Sequence, residues 1–254
     1  MEKTKKHGFS YAKYGYLFSI PFVVIFLIFH LYPTINTAIL GFTDCKGLGN
    51  TTWHFLQGDI FRNFKTVLAS DTFRLALKNT LVLWIVNFIP QMCLALLLTA
   101  WFTSRRNKIR GQGFFKVVFY MPNIITAATV AILFNALFAY PKGPVNDLLV
   151  SWGILENSFN FQVSQTAARL TVSFIQFWMW YGYTMIILIS GVLGINPEIF
   201  EAAEIDGANN WQMFWQITIP NMMSSFTICI FLTLTNGFKL FDQNLALTAG
   251  RPFL

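Results

Sequence analysis

The 254 residues are 55% hydrophobic and only 11% charged, against roughly 45 to 50% and about 25% in ordinary soluble domains. That excess excludes a single water-soluble core, and the charges gather in short clusters between nearly uncharged stretches of about 20 residues, the pattern lipid demands of spanning helices. A net charge of +7 raises nucleic acid as a partner, but the basic residues flank apolar runs instead of forming a stripe, so none is expected.

In chain order, residues 1–15 form a basic tail carrying Lys3, Lys5, Lys6 and Lys13. The apolar run 16–40 follows. It is long enough to span and has no small-residue cleavage site after it, which argues against a removed signal peptide. Residues 42–70 read as a polar external excursion. Further spans are expected at 75–102, 114–140, 167–194 and 220–240, each longer than the roughly 30 Å hydrocarbon layer at about 1.5 Å per helical residue. None alternates as a barrel strand does, so all are read as α-helices and the fold class as an all-α polytopic membrane bundle. The segment 141–165 is a second excursion. Both excursions read as solvated connectors, with docking as the alternative.

Orientation comes from the basic clusters. The tail, together with Arg105, Arg106, Lys108, Arg110 and Lys116 after the second span, places the N-terminus in the cytoplasm. Lys46, Arg62, Lys65, Arg74 and Lys78 on the opposite side weaken the contrast. The loop 195–219 is then cytoplasmic, yet it contains no lysine or arginine and holds Glu198, Glu201, Glu204 and Asp206. Such a loop is expected to be held by another protein.

Its first part reads as a short capped helix. Asn196 suits the cap, Pro197 the first helical position, Glu198 the positive end of the dipole and Gly207 the stop. At about 100° per residue, Ile199, Phe200, Ala203 and Gly207 share one face and Glu198, Glu201 and Glu204 the other. Trp211, Phe214, Trp215 and Ile217 form a second amphipathic stretch ending at Pro220 and suited to the membrane interface. An interfacial helix without a partner is the plainer alternative.

The spacing adds a resemblance. Glu201-Ala202-Ala203, three residues, Gly207, nine residues, Ile217, one residue, Ile219-Pro220 resembles the EAA loop of binding-protein-dependent ABC importer permeases. Its fuller form, Glu201 to Ala208 with Ile217-Thr218-Ile219-Pro220, is similar to the carbohydrate-uptake branch of maltose and glycerol-phosphate type. Lys78-Asn79-Thr80, Phe114-Phe115-Lys116, Phe119-Tyr120-Met121-Pro122, Phe241-Asp242 and Leu247-Thr248-Ala249-Gly250-Arg251-Pro252 agree with that branch. The resemblance runs from about Lys78 to Pro252. Arg251 stands where the family usually has a second glycine, and Pro197 lies one place closer to the triplet than is common. In similar permeases a final spanning helix follows, so the resemblance implies a type I permease fold lacking its last helix, in a chain that is truncated, a fragment or a degenerate product.

The resemblance implies half of the path of an ATP-driven importer in a bacterial cell membrane. The expected partners are a second homologous permease, a cytoplasmic ABC ATPase dimer, an extracellular solute-binding protein and the bilayer. Glu198 and Glu201 would face the ATPase, Ala202, Ala203 and Gly207 would pack closely against it, and Asp206 would brace the turn. No phosphate-cradling G-x-x-x-x-G-K-[ST] occurs, so the chain is expected to hold no cofactor, with ATP and Mg on the partner ATPase, and to carry no catalysis.

Polar groups at membrane depth usually face a bundle interior or an aqueous path. Gln176, Trp178, Trp180, Tyr181 and Tyr183 in the fourth span and Thr233, Thr235 and Asn236 in the fifth are such groups. Trp180, Tyr183, Thr233 and Asn236 are the preferred solute-path residues because similar permeases line their path with these helices. Helix-to-helix glue and an interfacial aromatic belt are the alternatives. Cys45, Cys93 and Cys229 lack metal or redox spacing, and His7, His30 and His54 form no metal pattern. An ion-coupled secondary transporter and a membrane-embedded enzyme remain the competing functions, although no chain of intramembrane carboxylates favours the former.

Overall fold

The computed structural model describes residues 12–47, 49, 52–104 and 109–239. Lys3, Lys5, Lys6, His7, Arg105, Arg106, Lys108 and the motif residues from Phe241 to Pro252 lie outside them. The chain divides into two units between Arg74 and Leu75.

The first unit begins with α1, Lys13–Leu40, whose apolar window has no buried residue. Ser19, Thr34 and Thr37 turn their hydroxyls back to the carbonyls of Gly15, His30 and Pro33 at 2.7–2.9 Å, which satisfies them without water. A π turn at Leu27–Leu31 lets the Tyr32 N–H reach Leu27 O. It ends just before Pro33, which has no N–H to offer the preceding turn. The excursion that follows is organised around aromatic rings: Phe42, Phe61 and Phe64 meet at centroid distances of 5.0–6.3 Å. Asn63, on α2 (Arg62–Ala69), donates to Gly41 O and Thr43 O at 3.0 and 2.8 Å. The segment expected to be a polar connector therefore has ordered local contacts of its own, although Phe61 and Phe64 stay exposed.

The second unit takes in α3 (Asp71–Thr103) from Leu75 onward, and contains α4 (Gln112–Ile124), α5 (Ala127–Leu137), α6 (Pro144–Ser151), α7 (Gln165–Leu193), α8 (Pro197–Ile205), α9 (Asn210–Asn221) and α10 (Met223–Phe238). Among the described residues α1, α3 and α7 are each long and apolar enough to cross a membrane, and the pairs α4–α5 and α9–α10 are so only when each is taken together. The region 114–140, read from sequence as one helix, is bent by 90°. Pro122 interrupts the backbone ladder near the bend, Ile125 is extended, and Thr126 restarts the chain as an N-cap accepting from the Thr129 N–H. The α9–α10 pair bends by 66°, after a second π turn that again ends just before a proline, Pro220.

α3 and α7 run parallel, because Asn79, Leu83 and Gln91 meet Arg169, Ser173 and Thr184 in that order. The chain between them has to return to its starting side, which the bent α4–α5 pair accomplishes. Glycine sets two of the close approaches. A Cβ on Gly182 would overlap the Phe119 carbonyl of α4, and one on Gly191 would overlap Ser225 of α10, the small-residue packing expected between membrane helices. Two apolar clusters result. One joins Leu83, Val130, Phe134, Val172, Ile175 and Met179, and the other joins Met92, Ala95, Leu98, Met185, Leu188 and Met222. Between α7 and its preceding bundle helices the segment 141–165 is clipped by Asn146, which is fully buried. Its amide donates to Ala139 O and Phe159 O at 3.0 and 3.1 Å and accepts from Phe159 N at 2.8 Å.

Candidate functional site: a capped surface helix and a polar cavity

The acidic loop folds as its cap residues dictate. Asn196 Oδ1 accepts the Glu198 N–H at 3.1 Å, and Pro197 holds the first helical position. At the far end Gly207 takes φ +80°. The Gly207 N–H then bonds Glu204 O at 3.1 Å and the Ala208 N–H bonds Ala203 O at 2.9 Å, the paired stop that an αL glycine permits. Asp206 occupies the C-cap. The next element restarts with reciprocal bonds between Asn209 and Gln212, each 2.9 Å, a capping box.

The faces of α8 differ from the expected ones. Phe200 packs on the second apolar cluster, and Ala203 is 9% exposed, so its small side chain serves packing within this chain. Ile199 and Gly207, expected on the apolar face, are exposed. Among the described residues, its chain neighbours aside, nothing lies within 4 Å of a Cβ placed on Gly207. Glu198, Glu201, Ala202, Glu204, Ile205 and Asp206 are all exposed, Ile205 at 86%. The outward surface of α8 is thus a carboxylate-rich rim around Ala202 and an unburied isoleucine, which sequence periodicity did not single out. Trp211 and Trp215 stand nearby, their rings 5.4 Å apart and both exposed.

The four preferred path residues converge. Trp180, Tyr183, Thr233 and Asn236 line one small cavity together with Asn87, Gln91 and Gln176. The cavity sits in register between the two apolar clusters, flanked by residues 83 and 172–179 on one side and 92 and 185–188 on the other. Trp180 meets Tyr183 edge to face at 5.7 Å. Thr233 donates to Cys229 O at 2.8 Å, and a hydroxyl that donates can still accept. Gln91 is fixed by donating to Thr184 Oγ1 at 2.7 Å. Every residue lining the cavity is uncharged. Thr235 bonds back to Phe231 O at 2.8 Å and is not among the lining residues.

Sequence reasoning passed over Asn87 and Gln91. Their signal was present: Asn79, Leu83, Asn87, Gln91, Ala95 and Thr99 recur every fourth residue of an otherwise apolar span, and each is buried, so one stripe of α3 carries its amides inward.

A helical membrane unit with an uncharged polar cavity inside and a capped acidic helix presented outside belongs to the class of solute permeases. Residues 80–254 match the family of the binding-protein-dependent transport system inner membrane component, and the chain belongs to that family. It is 29% identical over 239 residues to the multiple sugar-binding transport system permease protein MsmF of Streptococcus mutans, covering 94% of this chain and 79% of MsmF. It is 30% identical over 257 residues to the probable starch degradation products transport system permease protein AmyD of Thermoanaerobacterium thermosulfurigenes, covering 98% and 80%. Among solved structures it resembles a bacterial ABC transporter involved in the import of the acidic polysaccharide alginate, with a TM-score of 0.69 and 25% identity over 92% of this chain and 79% of that one. The chain is accordingly a multi-pass ABC importer permease of type I fold, a transport subunit and not an enzyme.

Proposed function

We propose that this chain forms half of the membrane path of an ATP-driven importer for an uncharged sugar or short oligosaccharide. The sugar assignment rests on the uncharged cavity, with two aromatic rings and convergent amides, and on relatives named for sugar transport. The observation that carries the mechanism is α8, a nine-residue helix capped at both ends, with its carboxylates and Ile205 turned away from the bundle. A helix so stopped moves as one piece, so force applied to its outer rim reaches Phe200 and the cluster that packs α3 against α7 and α10.

In this reading Glu198, Glu201 and Asp206 face a basic groove of a cytoplasmic ATPase dimer, which binds ATP and Mg. Ala202 and Gly207 let its surface approach, and Ala203 anchors the helix from within. Trp180, Tyr183, Thr233 and Asn236 contact the solute. A second homologous permease completes the path, an external binding protein delivers the sugar, and the N-terminus is cytoplasmic. The alginate transporter has also been solved with a periplasmic protein bound to an alginate pentasaccharide, which supports the same kind of delivery here. The test is reconstitution of the chain with its ATPase, second permease and binding protein in proteoliposomes. Uptake of a labelled sugar requiring ATP and the binding protein is the expected result. Uptake driven by an ion gradient through this chain alone would replace the reading with an ion-coupled carrier.

A further inference from the structure

The cavity holds an unused hydrogen-bond acceptor and an unused donor on two different helices. Asn87 Oδ1 on α3 and Gln176 Nε2 on α7 are buried atoms without a partner. Both residues line the cavity, and they are 7% and 4% exposed. They lie at one level, because Ser173 contacts Leu83 O on one side of them and Gln91 contacts Trp180 O on the other, each at 3.5 Å. The next amide along the stripe, Gln91, is satisfied by Thr184. A buried amide left unmet costs more than its bond would gain, so this pair awaits a visitor. The room available, about 20 Å³, suits one water molecule and no sugar ring.

We infer that Asn87 and Gln176 are a specificity-determining pair that reads one hydroxyl of the transported solute, which takes the place of that water when the path opens. The inference rests on the importer reading above. The solute hydroxyl donates its proton to Asn87 Oδ1 and accepts from the Gln176 amide. A hydroxyl is the group that meets both needs with a single atom. A methylene meets neither, an ammonium leaves the Gln176 donor unmet, and a carboxylate turns a negative oxygen toward the Asn87 oxygen. If both side-chain amides turn over together the roles of the two residues exchange, and a hydroxyl still meets both. Sites built to bond a hydroxyl reject analogues lacking it far more strongly than apolar pockets reject a missing methylene.

The test uses the reconstituted complex with its own binding protein. Labelled mono-, di- and trisaccharides of glucose, galactose and arabinose are screened, and the best is compared with each of its monodeoxy derivatives. The expected wild-type result is rejection of the derivative deoxygenated at one position by about tenfold or more, consistent with one lost buried bond. In Asn87→Leu and in Gln176→Met, apolar replacements of similar bulk, the parent-to-deoxy ratio at that position falls toward one while ratios at other positions stay. The binding protein's own preference is common to all measurements and cancels between wild type and variant. Unchanged ratios in both variants, or no rejection at any position in the wild type, overturns the inference even when uptake still needs ATP. If either single variant transports nothing, the double variant decides. Recovery of the deoxy sugar over the parent supports the pairing, and silence toward both sugars overturns it. Loss of the requirement for ATP would instead fail the importer reading itself.

Discussion

Gly207 combines a backbone that only glycine adopts freely with an open space beside it, and substitutions separate the two. At φ +80° an ordinary L-residue costs roughly 1–2 kcal/mol, and asparagine less. The two stop bonds that depend on this turn, Gly207 to Glu204 and Ala208 to Ala203, are worth about 0.5–1.5 kcal/mol each. Gly207→Val therefore places about 2–5 kcal/mol on the end of α8, enough to unwind its last turn. Among the described residues, chain neighbours aside, nothing lies within 4 Å of the new Cβ, so the packing of the bundle is not pushed apart. Membrane insertion and the melting temperature of the purified subunit should stay close to wild type, while ATP hydrolysis by the assembled complex continues without sugar uptake. Gly207→Asn keeps the backbone and adds only bulk. If the ATPase fills the open space, it too loses coupling, and if the turn alone matters, it retains uptake. Paired measurement of phosphate release and labelled-sugar uptake in proteoliposomes reads all three proteins. Wild-type uptake per ATP in Gly207→Val would refute the claim that this helix end transmits force.

At the α4–α7 crossing, even Gly182→Ala puts a Cβ into the Phe119 carbonyl, well inside the 3.0 Å that real Cβ atoms avoid. The helices must separate, at an overpacking cost of roughly 1–3 kcal/mol, and a lower thermal midpoint in detergent is expected, with an unchanged midpoint counting against the crossing. Asn146→Ala removes the hydrogen bonds that clip Ala139 to Phe159 and leaves buried partners unmet, at roughly 1–3 kcal/mol. Limited proteolysis within 141–165 should accelerate several-fold while α7 stays intact. In the segment 42–70 the Lys65 hydrogen bond holds the exposed Asp59 carboxyl below its usual range. A lowered folded value means the pair contributes fully at neutral pH and is lost as pH falls through and below the ordinary carboxylate range. The protection factors of amides near Asp59, which normalise exchange by its intrinsic rate at each pH, should fall on acidification in the wild type and be flat with pH in Asp59→Asn.

The parts of this molecule governed by local chemistry were readable in the sequence. Asn196, Pro197 and Gly207 fixed the limits of α8 because caps act on neighbouring backbone groups. The span expected at 167–194 became Gln165–Leu193 because hydropathy and length alone determine it. Directions between helices were not readable. The 90° turn between α4 and α5 lies inside a segment apolar enough overall to read as one span, and Pro122 with the Thr126 cap marks it. Trp180, Tyr183, Thr233 and Asn236, singled out through the resemblance, line one cavity. Asn87 and Gln91 joined them through the fourfold repeat on α3, which becomes meaningful once α7 lies alongside. Helical periodicity assigned Ala203 and Gly207 to one face. Which side of α8 meets the bundle depends on Phe200 reaching a cluster built by α3, α7 and α10, and this turned Ala203 inward and left Ile205 outside.

Ile205, at 86% exposure, is the position from which contact with the motor is most directly measured. A chain carrying Ile205→Cys as its sole cysteine, with Cys45, Cys93 and Cys229 replaced, is assembled with an ATPase bearing single cysteines around its surface and then oxidised. A disulfide-linked product that forms in the assembled complex and changes in yield when ATP is bound is the predicted result. No link at any ATPase position, together with labelling of Ile205→Cys by an impermeant thiol reagent added from outside the cell, would contradict the account.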